Sequence, residues 1–241
     1  MACVVCTKIH RLTGIYGKIN YICLTEFNKK KLLQLKQINP NRVFVKPNFV
    51  NNDDSIMPKK NRENQFVFVG RLDKLKGIDL LFETWKKMGD TATRLIVCGT
   101  GPMERWCKDF LERNKVNIIF RGLVSNKEAR ELIAVSRALI LPTQWYEGFP
   151  MTIVEAFSVG TPVICSDLGN AGNIITDGVD GIKFQNTSVD SLIQAIEQFE
   201  QSDIELLEKN AYIKYKNYFK QDINYEMLNK VYLLISHRSI T

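Results

Sequence analysis

The 241-residue sequence has no apolar run near the ~20 residues that a membrane-crossing helix needs, and its start, MACVVCTKIHRLTG, lacks a basic region ahead of a long apolar core. Neither a membrane span nor an export signal is expected. Cys3-Val-Val-Cys6 has the spacing of a zinc half-site or a redox pair, but no second CxxC and no nearby histidine pair completes it. Metal and redox roles are therefore not expected there. Cys98 and Cys165 fall inside the apolar runs RLIVCGT and TPVICSD and read as buried, reduced thiols. The chain also lacks a G-x-G-x-x-G after its first long strand-like run, with no acidic residue near the end of the next, which disfavours a dinucleotide-dependent dehydrogenase. No basic repeat is interleaved with aromatics, so a nucleic-acid partner is not expected.

What is present is an ordinary globular composition, 45% hydrophobic and 24% charged, long enough for one large domain or for one domain and part of another. The formal charge of +7 is uneven: residues 1–61 carry 11 Lys and Arg against 3 Asp and Glu, while residues 62–241 carry 22 against 23. The basic surplus of the N-terminal quarter suits either a solvated face around Lys29, Lys30 and Lys31 or an anionic partner such as a membrane surface or a phosphate-bearing substrate.

From about residue 65, short apolar runs alternate with segments of helical periodicity. Strands are expected at 65–70, 94–99, 117–122, 138–143, 162–167 and 181–184. Helices are expected in IDLLFETWKKM, PMERWCKDFLERN, NKEARELIAVS, MTIVEAFSVG and SVDSLIQAIEQFEQ, with two more over about 204–236. The pattern predicts a doubly wound α/β domain with a parallel sheet, in which ligands bind outside the carboxyl ends of the strands. Residues 1–50 differ. YICLTEF and VFVKPN read as strands around one helix, NKKKLLQLKQ, which is too little for a full domain. Residues 51–65, rich in Asn, Asp and Lys, read as an exposed linker. The expected division is thus 1–50, linker 51–65, a Rossmann-like domain over 66–203 and terminal helices over 204–241.

Three loops carry candidate chemistry. Gly70-Arg71-Leu72-Asp73-Lys74-Leu75-Lys76-Gly77 places cations at the end of the first long strand, where a phosphate or plain water would suit them. Gly99-Thr100-Gly101-Pro102 follows the second and fits either a tight turn into a helix or close approach to a ligand. In EGFPMTIVEAF, Pro150 fits the first turn of a helix, which leaves Glu147 in the loop and Glu155 some ~7–8 Å along the axis. That separation strains a retaining-glycosidase carboxylate pair, which needs ~5 Å. Two separate grips on one ligand fit better, with the free amides of Met151 and Thr152 between them for phosphate oxygens; two solvated charges remain the plain alternative.

Together, VGRLDKLKGIDLL, CGTGP, IIFRGLV, LPTQWYEGFPMTIVEAFSVGTPVICSD and ITDGVDGIKF resemble glycosyltransferase family four, retaining enzymes of the GT-B fold, over about residues 16–236. The resemblance implies a complete C-terminal domain that binds a nucleotide-diphosphate sugar and only the last stretch of an N-terminal acceptor domain. It implies that Arg71 and Lys76 hold the donor diphosphate, that Glu147 contacts the transferred sugar and that Glu155 bonds the ribose. Gly70, Gly99, Gly101, Gly148, Phe149, Met151 and Thr152 would bring backbone close to the donor, with Leu123 and Val124 beside the base. No divalent metal or other cofactor is implied, and no D-x-D pair is present to hold one. A glycan or lipid-linked acceptor is implied, with a separate acceptor-domain subunit and peripheral contact at the inner membrane face of a cytoplasmic protein left open. Two departures stand out. Asn173 replaces the family's acidic residue after the fifth strand, and the strands that shape the acceptor site, with their histidine, have no counterpart; His10 is not assigned that role.

Overall fold

The computed structural model describes residues 12–51, 56 and 58–238; Cys3, Cys6 and His10 lie outside the described residues. Six strands, β3 (Glu63–Val69), β4 (Arg94–Cys98), β5 (Ile118–Gly122), β6 (Ser136–Leu141), β7 (Val163–Ser166) and β8 (Gly181–Phe184), form one parallel sheet in the order β5-β4-β3-β6-β7-β8. Ahead of it stand β1 (Tyr21–Cys23), α1 (Glu26–Leu33) and β2 (Val43–Val45), with β1 and β2 paired in parallel as a separate two-stranded sheet. The helices of the larger unit are α2 (Ile78–Met88), α3 (Glu104–Arg113), α4 (Asn126–Val135), α5 (Met151–Ser158), α6 (Gly169–Ile174), α7 (Val189–Gln201), α8 (Ile204–Lys214) and α9 (Gln221–Arg238).

Near-continuous apolar strands are what a sheet covered on both faces requires. Phe66 and Phe68 of β3 turn into one core with Trp85 of α2, Phe110 of α3 and Phe199 of α7; Val67 between them turns into the other with Ile133 of α4 and Phe157 of α5. Trp85 is fully buried and donates its ring N–H to the Thr93 carbonyl at 2.8 Å, so its polar atom is satisfied inside the core.

The expected strands and five expected helices are present within a few residues. β6 starts two residues early because α4 runs into it without a loop. Ser136 ends the helix, bonds back to the Leu132 carbonyl at 2.7 Å, and accepts from Gln65 of β3 at 3.2 Å. Near the N-terminus, TEF belongs to α1 and not to a strand, because the Thr25 side chain caps that helix by accepting from the Asn28 amide at 3.1 Å. α6 was not expected. Its sequence, GNAGNI, has poor intrinsic propensity and is helical through its packing.

The supposed linker is also not loose at its end. β3 begins at Glu63, and Arg62 ahead of it is buried, its guanidinium pairing with Glu208 at 2.6 Å. It also donates to the carbonyls of Ala134, Ser136, Val159 and Gly160 and to the Thr161 hydroxyl at 2.6–3.2 Å. One side chain thereby ties the start of the sheet to the ends of α4 and α5 and to α8. At the other end of the chain, the turn before α9 returns to the first unit. The Val50 amide bonds the Phe219 carbonyl at 3.3 Å, and Asn224 donates to the Pro47 carbonyl at 2.6 Å.

Replacing Arg62 by Met leaves several buried carbonyls and Glu208 without their donor, a loss of about 3–5 kcal/mol for a broken buried pair. Urea unfolding of Arg62→Met against the parent protein measures it, and Arg62→Lys recovers only part, since an ammonium cannot reach the same set of acceptors.

Candidate functional site

The strand order reverses between β3 and β6, so the loops that leave their carboxyl ends part to form a crevice. These two loops are stitched together at its base. Gly77, at a positive φ of 73°, sits so close to the Pro142 carbonyl that a Cβ there would fall 1.9 Å from its oxygen. The Leu75 carbonyl accepts from the Gln144 amide at 2.8 Å and from the Thr143 hydroxyl at 3.3 Å. Within the β3 loop, Asp73 accepts from the Lys76 amide at 3.0 Å and fixes a single tight turn.

Gly99 and Gly101 answer first to the β3 loop. A Cβ on Gly99 would meet the Gly70 carbonyl at 1.8 Å, and one on Gly101 the Leu72 carbonyl at 2.4 Å. Backbone bonds from Leu72 to the Thr100 carbonyl, 3.0 Å, and from Met103 to the Leu72 carbonyl, 2.9 Å, occupy the space that side chains would take. The same close approach opens a cavity of about 480 Å³ lined by Gly70, Arg71, Gly99, Gly101, Leu123 and Val124, six of the residues expected at the donor. Arg71 is exposed and pairs with Asp73 at 3.1 Å, and Leu123 stands exposed after β5. Cys98 also lines the cavity, but burial pushes its thiol up to about 11, so it is held as the un-ionised thiol near neutral pH.

Lys76 and Glu147 are brought together from the two loops, ammonium to carboxylate at 2.8 Å. Glu147 is only 9% exposed, and its second oxygen, Oε1, is buried without a hydrogen-bond partner. Such an atom is costly unless a ligand supplies a donor. Pro150 is the residue before α5 and not its first helical one. No side chain caps the helix start, so the Met151 and Thr152 amides face outward without a side-chain acceptor. Gly148 is exposed, while the ring of Phe149 turns away, packing 6.3 Å from that of Phe219. Glu155 is half-buried on α5; burial raises its carboxyl above the usual range, with Arg130 of α4 acting in the opposite direction.

Asn170 was missed. It is 2% exposed in α6, donates through Nδ2 to the carbonyls of Glu147 and Gly148, each at 2.6 Å, and accepts from the Thr25 hydroxyl at 2.5 Å. The expected departure, Asn173, is three residues on and exposed. The only sequence signal for Asn170 was an Asn between small residues, which reads as a turn.

The family model of glycosyl transferases group 1 matches residues 50–218. The chain belongs to that family. Among its relatives are an uncharacterized glycosyltransferase of Methanocaldococcus jannaschii, 28% identical over 67% of this chain and 44% of that protein, and the O-antigen chain mannosyltransferase of Salmonella typhimurium, 29% identical over 62% and 42%. The solved structure of the lipopolysaccharide outer core galactosyltransferase shares the fold, with a TM-score of 0.74 at 20% identity over 89% of this chain and 61% of that one. The sheet is thus that of a GT-B glycosyltransferase. The chain spans less than half the length of the curated relatives just described.

A carboxyl raised by burial costs stability as pH rises. Below the carboxylate range the folded and unfolded chains both hold the proton; above it the unfolded chain releases first, and the folded state loses ground. Glu155→Gln, an isostere of the protonated acid, therefore matches the parent protein near about pH 3 and exceeds it at about pH 7 in urea-unfolding free energy.

Proposed function

We propose that this chain is the donor-binding part of a retaining glycosyltransferase. It moves a hexose-like sugar from a nucleoside-diphosphate sugar to a glycan or lipid-linked acceptor. The observation that carries the reading is Glu147, buried, paired on one oxygen with Lys76 and unpartnered on the other, at the mouth of a glycine-lined cavity. A hydroxyl of the transferred sugar is the donor that Oε1 lacks. Arg71 and Lys76, with the uncapped start of α5, meet the diphosphate and stabilise it as the bond from the anomeric carbon to phosphate oxygen breaks. The acceptor hydroxyl oxygen forms the new bond on the face the diphosphate leaves, and its proton passes to the departing phosphate. Glu155 holds the ribose, and Leu123 and Val124 flank the base. The names of two relatives, from O-antigen and lipopolysaccharide core synthesis, favour an envelope-type acceptor. With cations and helix amides in place, the reaction needs no divalent metal.

A second reading has a specific observation behind it. The first unit contributes only a two-stranded sheet, and the chain spans less than half of its matched relatives. On that reading the chain binds nucleotide sugar but transfers nothing until a partner supplies the acceptor domain.

Calorimetry with uridine, guanosine and adenosine diphosphates and their hexose esters, followed by a transfer assay, separates these readings. Binding with turnover supports the enzyme, binding without turnover the partner-dependent module, and absence of binding to any of them overturns both. Excess EDTA leaves the measured affinity unchanged. Arg71→Ala weakens nucleoside diphosphate and sugar nucleotide alike, by roughly tenfold or more for one charge-assisted contact, whereas Glu147→Ala acts mainly on the sugar nucleotide. Equal loss for both ligands in Glu147→Ala removes Glu147 from the sugar.

A further inference from the structure

Glu147 is held from two directions. Its side chain is held by Lys76, on the β3 loop. Its backbone is held by Asn170, which uses both amide hydrogens on the carbonyls of Glu147 and Gly148. With its Oδ1 taken by the Thr25 hydroxyl, every hydrogen of the Asn170 side chain is committed, and the amide has one sensible orientation. Thr25 is also the cap of α1, accepting from the Asn28 amide at 3.1 Å, so the hydroxyl ends one helix while gripping another. Beside this chain of bonds, Phe27 of α1 stacks on Tyr146, the residue before Glu147, with ring centroids 5.7 Å apart and planes at 12°. Gly169 lies against the same tyrosine, so close that a Cβ would stand 2.6 Å from its ring.

The loop that carries Glu147 is thus fixed at its start by the β3 loop and at its centre by α6 and α1. The second attachment comes from outside the six-stranded unit, through Thr25 and Phe27. We infer that Asn170 is a positioning residue that makes the grip of Glu147 on the donor sugar depend on the seating of the β1-α1-β2 unit against the loop. The inference rests on the reading of Glu147 as the sugar contact. Its consequence is that diphosphate binding, made by the β3 loop and α5, is separable from sugar binding, which needs the first unit in place. A glycosyltransferase with this arrangement engages the sugar firmly only when the unit on the acceptor side is docked, which protects the donor from water while no acceptor is present.

The test is affinity for a sugar nucleotide relative to its free nucleoside diphosphate, because a loss of general packing lowers both. In the full chain, Asn170→Ala and Thr25→Val each lower affinity for the hexose nucleotide by roughly tenfold and change that for the free diphosphate by less than about twofold, the scale of one or two buried hydrogen bonds. Thr25→Ser, which keeps the hydroxyl, retains the parent ratio. The double variant loses no more than either single one, since both cut the same chain of bonds. Thr25→Val leaves α6 untouched and keeps the inference open to refutation if Asn170→Ala proves too unstable to assay. Parallel loss for both ligands, or a silent Thr25→Val, overturns it while leaving the donor-site reading intact. Failure of the unmodified chain to bind any of these ligands overturns that reading and the inference with it.

Discussion

The loops after β3 and β6 can touch because residue 77 carries no side chain. Where a Cβ would stand, 1.9 Å away, is the carbonyl oxygen of Pro142, and the chain meets it in a left-handed conformation that glycine adopts without strain. Everything else at the crevice follows from that approach. It lets the Leu75 carbonyl take the Gln144 amide, it sets Lys76 opposite Glu147, and it leaves α5 to start immediately beyond. Gly99 and Gly101 do for the β4 loop what Gly77 does for the β6 loop. Glycines that read from the sequence as ligand contacts are first of all contacts between loops, and the cavity is what remains when backbones replace side chains.

The pair formed by Lys76 and Glu147 defines the electrostatics of that cavity. A half-buried ammonium beside a buried carboxylate is nearly neutral as a unit, so Lys76 attracts a diphosphate less strongly than an isolated lysine would. Arg71, exposed and only loosely held by Asp73, is the freer cation. The two residues that a motif places together as phosphate ligands are therefore unequal: Arg71 offers charge to the incoming phosphates, while Lys76 also holds the carboxylate in place. A structure that merely neutralised two charges would satisfy both carboxylate oxygens, and this one leaves Oε1 bare.

The fold was legible because its strands are apolar runs of the length a doubly covered sheet demands, and its helices show apolar residues three and four apart. Ile78–Met88 was bounded correctly at both ends, where Gly77 and Gly89 flank it. What sequence could not show was set by distant partners. Arg62 looked like one more charge in a polar stretch, because the carbonyls it serves come from residues 134 to 160. α6 has no propensity to betray it, and Asn170 is meaningful only once Thr25, 145 residues earlier, is seen beside it. The glutamates of EGFPMTIVEAF were legible as separate groups from helix geometry alone. The bare oxygen of Glu147 was not, since an unsatisfied atom is defined by what fails to surround it.

The basic surplus of the N-terminal quarter also changes meaning with the fold. As a sequence feature, Lys29, Lys30 and Lys31 suited either water or an anionic partner. In the structure, α1 lies against the loop that carries Glu147, and the Lys31 ammonium sits 5.6 Å from the centre of the Phe27 ring that stacks on Tyr146. Part of the positive charge is thus anchored beside the crevice and not spread over a remote face. An exposed cation so placed contributes little to stability but raises the local concentration of a doubly charged ligand, an effect that fades with salt. The helix that fixes the position of Glu147 through Thr25 and Phe27 therefore also carries charge of the sign that a nucleoside diphosphate would follow inward.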